Sequence, residues 1–202
     1  MRKIEENKQK KKESLLESSF ALFMKNGFHN TSISDIVTHA GVAKGTFYLY
    51  FKDKYDIRNH LISFKAGQIF RNAYAALQES GVDDFEEGTI FIIDHILGQF
   101  QADKSLVLFI SKHLSWGLFK SALHQSAVNE DESIYDFYFA QLAQSGYTYR
   151  NPELMLYMII ELVSGISYNA VLYAEPMPLD EIKPTLYETV RNIMKQERSS
   201  VM

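Results

Sequence analysis

"GVAKGTFYLYFKDK", residues 41–54, gathers lysines, glycines and four aromatic rings into one short run. Phe47 and Phe51 stand four apart and therefore share one face of a helix. The other faces carry Lys44, Gly45, Thr46, Tyr48, Leu49 and Tyr50, a mixture of donors, small groups and rings. A helix made only for packing would pair an apolar stripe with a charged remainder. This one has a side for packing and a side for touching something outside the domain.

Working outward toward the N-terminus, "TSISDIVTHAGV" precedes it. Ser32 with Asp35 three residues on is a capping-box-like start, with a carboxylate near the positive helix end. Ile33, Ile36, Val37 and Ala40 give that short helix an apolar face, and Gly41 interrupts it. A third helix is expected over about Ala43–Tyr50. Before these, residues 10–26 place Leu15, Ser19, Leu22 and Phe23 on one face, and Gly27 stands where a left-handed cap is needed. Two short helices joined at a glycine, with a first helix packed across them, describe a helix-turn-helix. Phe47 and Phe51 are its expected plug.

Charge divides the chain unevenly. Residues 1–54 carry ten Lys/Arg against six Asp/Glu, and the remaining 148 carry eleven against nineteen, for a net charge of −4. A positive head on a negative body points to a polyanionic partner for the head. The Lys-rich first dozen residues fit a solubilising tail equally well. Cysteine is absent, which excludes disulfides, thiol catalysis and thiolate metal sites. No apolar run is expected to reach bilayer length, and the start "MRKIEENKQKKKE" lacks the apolar stretch of a signal peptide. The expected location is cytoplasmic.

Downstream, Asp53 and Asp56 signal a long fourth helix to about Leu77. Further starts are expected at Asp84 with Glu87, at Asp103, at Asn129 with Glu132, and at Asn151 followed by Pro152. Gly117 and Gly146 mark interruptions. Residues 152–174 are apolar along one face, "EPMP" ends that stretch, and a last amphipathic helix follows over about 180–196. Four prolines, ten glycines and no alternating strand pattern give an all-α chain.

The order Gly27-Phe28, Thr31-Ser32, Ala40-Gly41-Val42, Lys44-Gly45-Thr46-Phe47-Tyr48, Phe51 and Lys54 resembles the DNA-binding domain of the TetR (tetracycline-repressor-like) family. The resemblance covers roughly residues 13–60. It implies an N-terminal helix-turn-helix domain over 1–52 with a basic arm, and a helical effector-binding and dimerisation domain over 53–202. It also implies roles by position. Thr31 and Ser32 would offer hydroxyl and backbone N–H groups to phosphate. Lys44 would reach a guanine edge or a phosphate. Gly45 would let the backbone approach the groove, and Thr46 offers a hydroxyl and a methyl. Tyr48 and Tyr50 would meet phosphates, and Lys54 would pair with one. Leu49 is open between a thymine methyl and simple exposure. Ala43 stands where the family often has Ser, so no side-chain cap is expected there.

The second domain carries rings at helical spacing, which serve either as core or as the lining of a pocket. Phe91, His95, Phe109, His113, Trp116, Phe119, Tyr138 and Tyr168 are the residues expected to meet a small, largely apolar effector. His95 and His113 form no short-spaced ligand pair, so no metal is expected. No HExxH, GxSxG, phosphate loop or dinucleotide fingerprint is present, so neither an enzyme nor a cofactor is expected. The reading is a one-component repressor that leaves an inverted-repeat DNA operator when an effector binds. It acts as a homodimer through the helices near 152–174 and 180–196. The alternative is an activator or accessory DNA-binding protein without a small-molecule inducer.

Overall fold

The computed structural model describes residues 2–110, 116–125 and 133–199. These form ten α-helices: α1 (Arg2–Asn26), α2 (Ile33–His39), α3 (Lys44–Tyr48), α4 (Lys54–Ser80), α5 (Phe85–Ala102), α6 (Lys104–Ile110), α7 (Trp116–Gln125), α8 (Ile134–Gln144), α9 (Pro152–Tyr173) and α10 (Leu179–Glu197). One isolated bridge, Tyr149 to Arg198, is the extended pairing among them. The chain is all-α, with a helix-turn-helix head and a helical body. Its two compact units are Met1–Phe64 and Lys65–Met202.

In the first unit α1 starts at Arg2, well before residue 10, so the lysine-rich stretch is part of this helix. Leu15, Leu16, Phe23, Ile36, Val37, Ile57 and Leu61 are buried. Phe47 and Phe51 are 0% and 2% exposed, with ring centroids 5.6 Å apart. Burial of each such ring stabilises the head by ~1.5–3 kcal/mol, so these two rings hold α3 in place. Gly27 and Gly41 have φ of +81° and +67°, left-handed values that L side chains resist. They turn α1 into α2 and α2 into α3. Ser32 and Asp35 close the expected capping box reciprocally. α3 ends two residues earlier than expected, at Tyr48, and Ala43 contributes no side-chain cap.

In the second unit the expected starts at Asp84 and Asp103 are made. Asp84 accepts from the Glu87 N–H at 2.9 Å, and Asp103 from that of Ser105 at 2.9 Å. The start at Asn129 and Glu132 lies outside the described residues. α8 opens instead on Ser133, whose Oγ accepts from the Asp136 N–H at 3.1 Å. Pro152 occupies the first helical position, but the Asn151 side chain makes no capping bond. Gly146 ends α8 with φ +79°, whereas Gly117 falls inside the first turn of α7.

One expectation needs correction. α9, with 22 residues and an 18-residue stretch of mean hydropathy 1.5, is long and apolar enough to cross a bilayer. Its inner face accounts for part of that composition, with 39% of the stretch buried. Met155, Ile159, Val163 and Ala170 are buried, and α9 packs against α5, α6 and α10. On α10, Leu186, Val190 and Met194 are buried, and Arg191 forks onto Glu87 at 2.9 and 2.8 Å.

Candidate functional site

The face of α3 turned away from its plug is open. Tyr48 and Leu49 are 54% and 79% exposed, and Lys44 and Gly45 are exposed beside them. A Cβ placed on Gly45 would meet nothing within 4 Å, so no internal packing demands glycine there. Thr46, Leu49 and Tyr50 share one concave surface with Asn7, Lys8 and Lys11 of α1. By sequence these lysines are open between a tail and a polyanion partner. Helix α1 decides their place, because its 3.6-residue period sets Lys8 and Lys11 on one face beside α3.

Thr31, Ser32 and Lys54 sit differently. The Thr31 side chain is buried, and its hydroxyl donates to the carbonyl oxygens of Gly27 and Leu22 at 2.9 and 3.3 Å. The Ser32 hydroxyl and backbone N–H both donate to Asp35 Oδ2, at 2.7 and 2.8 Å. Those bonds hold the Asp35 carboxyl below the usual carboxylate range, the side-chain bond first. The Lys54 ammonium donates to the carbonyls of Phe28, Thr31 and His29 at 2.8, 3.0 and 3.2 Å. All three residues are engaged within the head, on the turn that leads into α2. Only a resemblance suggests an outward role for them, and spacing does not reveal these inward partners.

The second unit holds a cavity of about 500 Å³. Ala66, Ile69, Phe70, Tyr74 and Leu77 of α4 form one wall, and Ile93, Ile96 and Phe100 of α5 another. Phe119 and Leu123 of α7, Ile134, Phe137 and Tyr138 of α8, and Leu156, Ile159 and Val163 of α9 line much of the rest. The rings meet edge to face, Phe70 on Phe119 at 5.2 Å and Tyr74 on Phe137 at 4.6 Å, a favoured arrangement of ring quadrupoles. Polar groups on the wall are few. Thr89 Oγ1 donates to the Phe85 carbonyl at 2.9 Å, and Gln78 Nε2 donates to Tyr74 Oη at 2.9 Å. Asp83 and Asp84 border the cavity on the α4–α5 turn and are exposed.

Of the residues expected to meet an effector, Phe119 and Tyr138 line this cavity. Trp116 stacks on Phe119 at 5.6 Å and backs the wall without lining it. His95 stacks on Phe91 at 6.4 Å and lies 3.3 Å from Gln99 Nε2, away from the cavity. Phe109 and Tyr168 are also off its wall, and His113 lies outside the described residues. The rings of the fourth helix are absent from the expected set, although their signal is in the sequence. Ala66, Ile69, Phe70, Ala73, Tyr74 and Leu77 recur at helical spacing.

Residues 15–61 match the family described as bacterial regulatory proteins, tetR family. The fatty acid metabolism regulator protein of Bacillus subtilis (strain 168) is 32% identical over 101 residues, 50% of this chain and 42% of that protein. The match thus spans less than half of that relative's length. Two solved structures share the fold across nearly the whole chain. The transcriptional regulator FadR from Bacillus subtilis, in complex with stearoyl-CoA, superposes with a TM-score of 0.61 at 23% identity, covering 88% of this chain and 96% of that one. A TetR family transcription regulator from Marinobacter aquaeolei VT8 does so with a TM-score of 0.61 at 16% identity, covering 96% and 98%. Residues 15–61 are thus a helix-turn-helix head of the tetR family by sequence, on a body that shares the fold of these solved structures.

Proposed function

We propose that the protein is a cytoplasmic, dimeric repressor that binds an inverted-repeat operator and releases it when a small, largely apolar effector fills the body cavity. The observation that carries the DNA half is the open face of α3, held from behind by Phe47 and Phe51. On this reading residues 1–52 are the DNA-binding domain and 53–202 the effector and dimer domain. Lys44, Gly45, Thr46, Tyr48, Leu49 and Tyr50 meet the major groove, with Lys8 and Lys11 beside them on the phosphates. Ser32, Thr31 and Lys54 shape the turn that delivers α3.

The effector half rests on the cavity's size and lining. A volume of about 500 Å³ falls within the ~300–1,000 Å³ of ordinary ligand sites. Because α4 begins in the head and walls the cavity at its other end, a ligand that prefers one placement of α4 changes the spacing of the two heads. It shifts the balance only by its differential affinity, typically ~1–3 kcal/mol of coupling. The dimer is read through α9 and α10, the helices near 152–174 and 180–196, with Leu154 and Tyr157 exposed on the outer face of α9.

A fatty acyl thioester is a second reading of the effector, favoured by the stearoyl-CoA named with the Bacillus subtilis neighbour. The test starts with operator selection from random duplexes, then measures release by anisotropy. An inverted repeat released by an apolar compound found in a thermal-shift screen supports the repressor. Binding that no cavity ligand alters supports the accessory protein instead.

A further inference from the structure

We infer that the ligand of the body cavity is an uncharged apolar molecule with a hydrogen-bond acceptor oxygen, held by the Tyr138 hydroxyl. The inference rests on the effector reading above and narrows it to a ligand class. Tyr138 lines the cavity. Its Oη is buried and has no hydrogen-bond partner among the described residues. Buried hydroxyls are normally paired, because an unmade bond leaves the desolvation of the group uncompensated. Thr89, Tyr74 and Gln78 on the same wall already have partners, and Gln141 and Ser164 are its remaining uncharged polar side chains. The Tyr138 hydroxyl is left for a guest.

Its chemistry selects the guest. Burial pushes the Tyr138 phenol up, so the group keeps its proton and acts as a donor. The Phe85 ring, 5.3 Å away and also on the wall, keeps the surroundings apolar. The formally charged residues on the described wall are Asp83 and Asp84, and Asp84 is engaged in capping α5. A carboxylate buried there would meet neutral polar groups such as the Tyr138 phenol, no described cation and two like charges near the rim, which disfavours it. A ketone, ester, amide or ether oxygen takes the proton of Tyr138 without that cost. Tyr149, whose ring also contacts Phe85 at 6.0 Å, has a second buried hydroxyl, with Arg198 and Ser145 as its polar neighbours. A water shared by the two phenols is therefore the competing occupant.

Three isosteric probes separate these outcomes: 2-ethylnaphthalene, 2-acetylnaphthalene and 2-naphthoate, titrated by fluorescence into the full-length wild type and Tyr138→Phe. Far-ultraviolet spectra and melting curves confirm that both are folded. The preference for ketone over hydrocarbon should fall about five- to tenfold in Tyr138→Phe, the worth of one neutral hydrogen bond. Hydrocarbon affinity should hold, and naphthoate should bind more weakly than the ketone. An unchanged ketone preference overturns the anchor and assigns the hydroxyl to water, leaving the cavity reading intact. Naphthoate binding more tightly than ketone overturns the uncharged class. If none of the three binds the wild type, the effector cavity falls and this inference with it.

Discussion

Lys54 Nζ lies 4.6 Å from the centroid of the Phe28 ring and donates to the Phe28 carbonyl oxygen at 2.8 Å. One ammonium thus satisfies the face and the backbone of a single residue, with the Thr31 and His29 carbonyls completing its donors. Tyr55 meets the same ring edge to face at 5.1 Å, and Arg58 lies 4.9 Å from its centroid. The start of α4 is tied in this way to the loop between α1 and α2. Lys54→Ala is expected to destabilise the head by ~1.5–3 kcal/mol, the range for hydrogen bonds to a charged group. Denaturant unfolding of the wild type and variant checks this, and an unchanged midpoint would show that the lysine has no structural part.

Removing a charge from the surface beside α3 has a different signature. Lys8→Gln and Lys11→Gln should leave folding intact and weaken all DNA sequences alike. For each phosphate that is no longer neutralised, the slope of log affinity against log salt should become shallower by about 0.9. Lys44→Ala should instead relax preference at one base position by ~1–3 kcal/mol if it reads a guanine edge. Anisotropy titrations across a salt series, on the selected operator and single-base variants, distinguish the two kinds of residue.

Gly165 stands on the exposed side of α9, where an added Cβ would meet nothing within 4 Å in the single chain. Gly165→Leu should therefore leave monomer folding unchanged. In an isologous four-helix interface it would push α9 from its partner copy, where small residues permit close approach. Light scattering should show dissociation at lower dilution than for the wild type. An unaltered dimer would place the interface elsewhere.

His60 supplies a pH dependence in the head. Burial lowers its imidazole pKa, the Asp56 carboxylate opposes that, and Lys12 adds to it. Its Nε2 lies 3.6 Å from Asp56 Oδ1, and its ring meets Phe51 edge to face at 5.4 Å. The unfolded chain, with the ordinary imidazole pKa, binds the proton more readily than the folded head. The contribution of His60 is thus fully present above that ordinary value and is lost as pH falls through the folded one. Melting temperature should decline below about pH 6.5, and His60→Gln should flatten that decline. An equal decline in both proteins would put the titration elsewhere.

Much of the head is legible in the sequence because its signals are local. Ser32 and Asp35 are three apart and close their box within one turn, and Gly27 and Gly41 occupy left-handed positions that few other residues tolerate. Phe47 and Phe51 stand four apart and share a helical face whatever surrounds them. The inward use of Thr31 and Lys54 is not legible, because hydroxyls and ammonium groups look the same in sequence whether they meet carbonyls or phosphates. The first partner of Thr31 is four residues away, but those of Lys54 are more than twenty.

The sequence by itself determined the all-helical class, the helix-turn-helix and the two rings that hold it, since helix period, caps and glycine turns act over a few residues. The tertiary structure decided which aromatic residues border a cavity. Phe119 and Trp116 lie one helical turn apart, yet one lines the space and the other stacks behind it. Periodicity states that a residue faces inward, but not whether packing closes over it. That depends on how α4, α5, α8 and α9 approach one another, and the gap they leave belongs to no single helix.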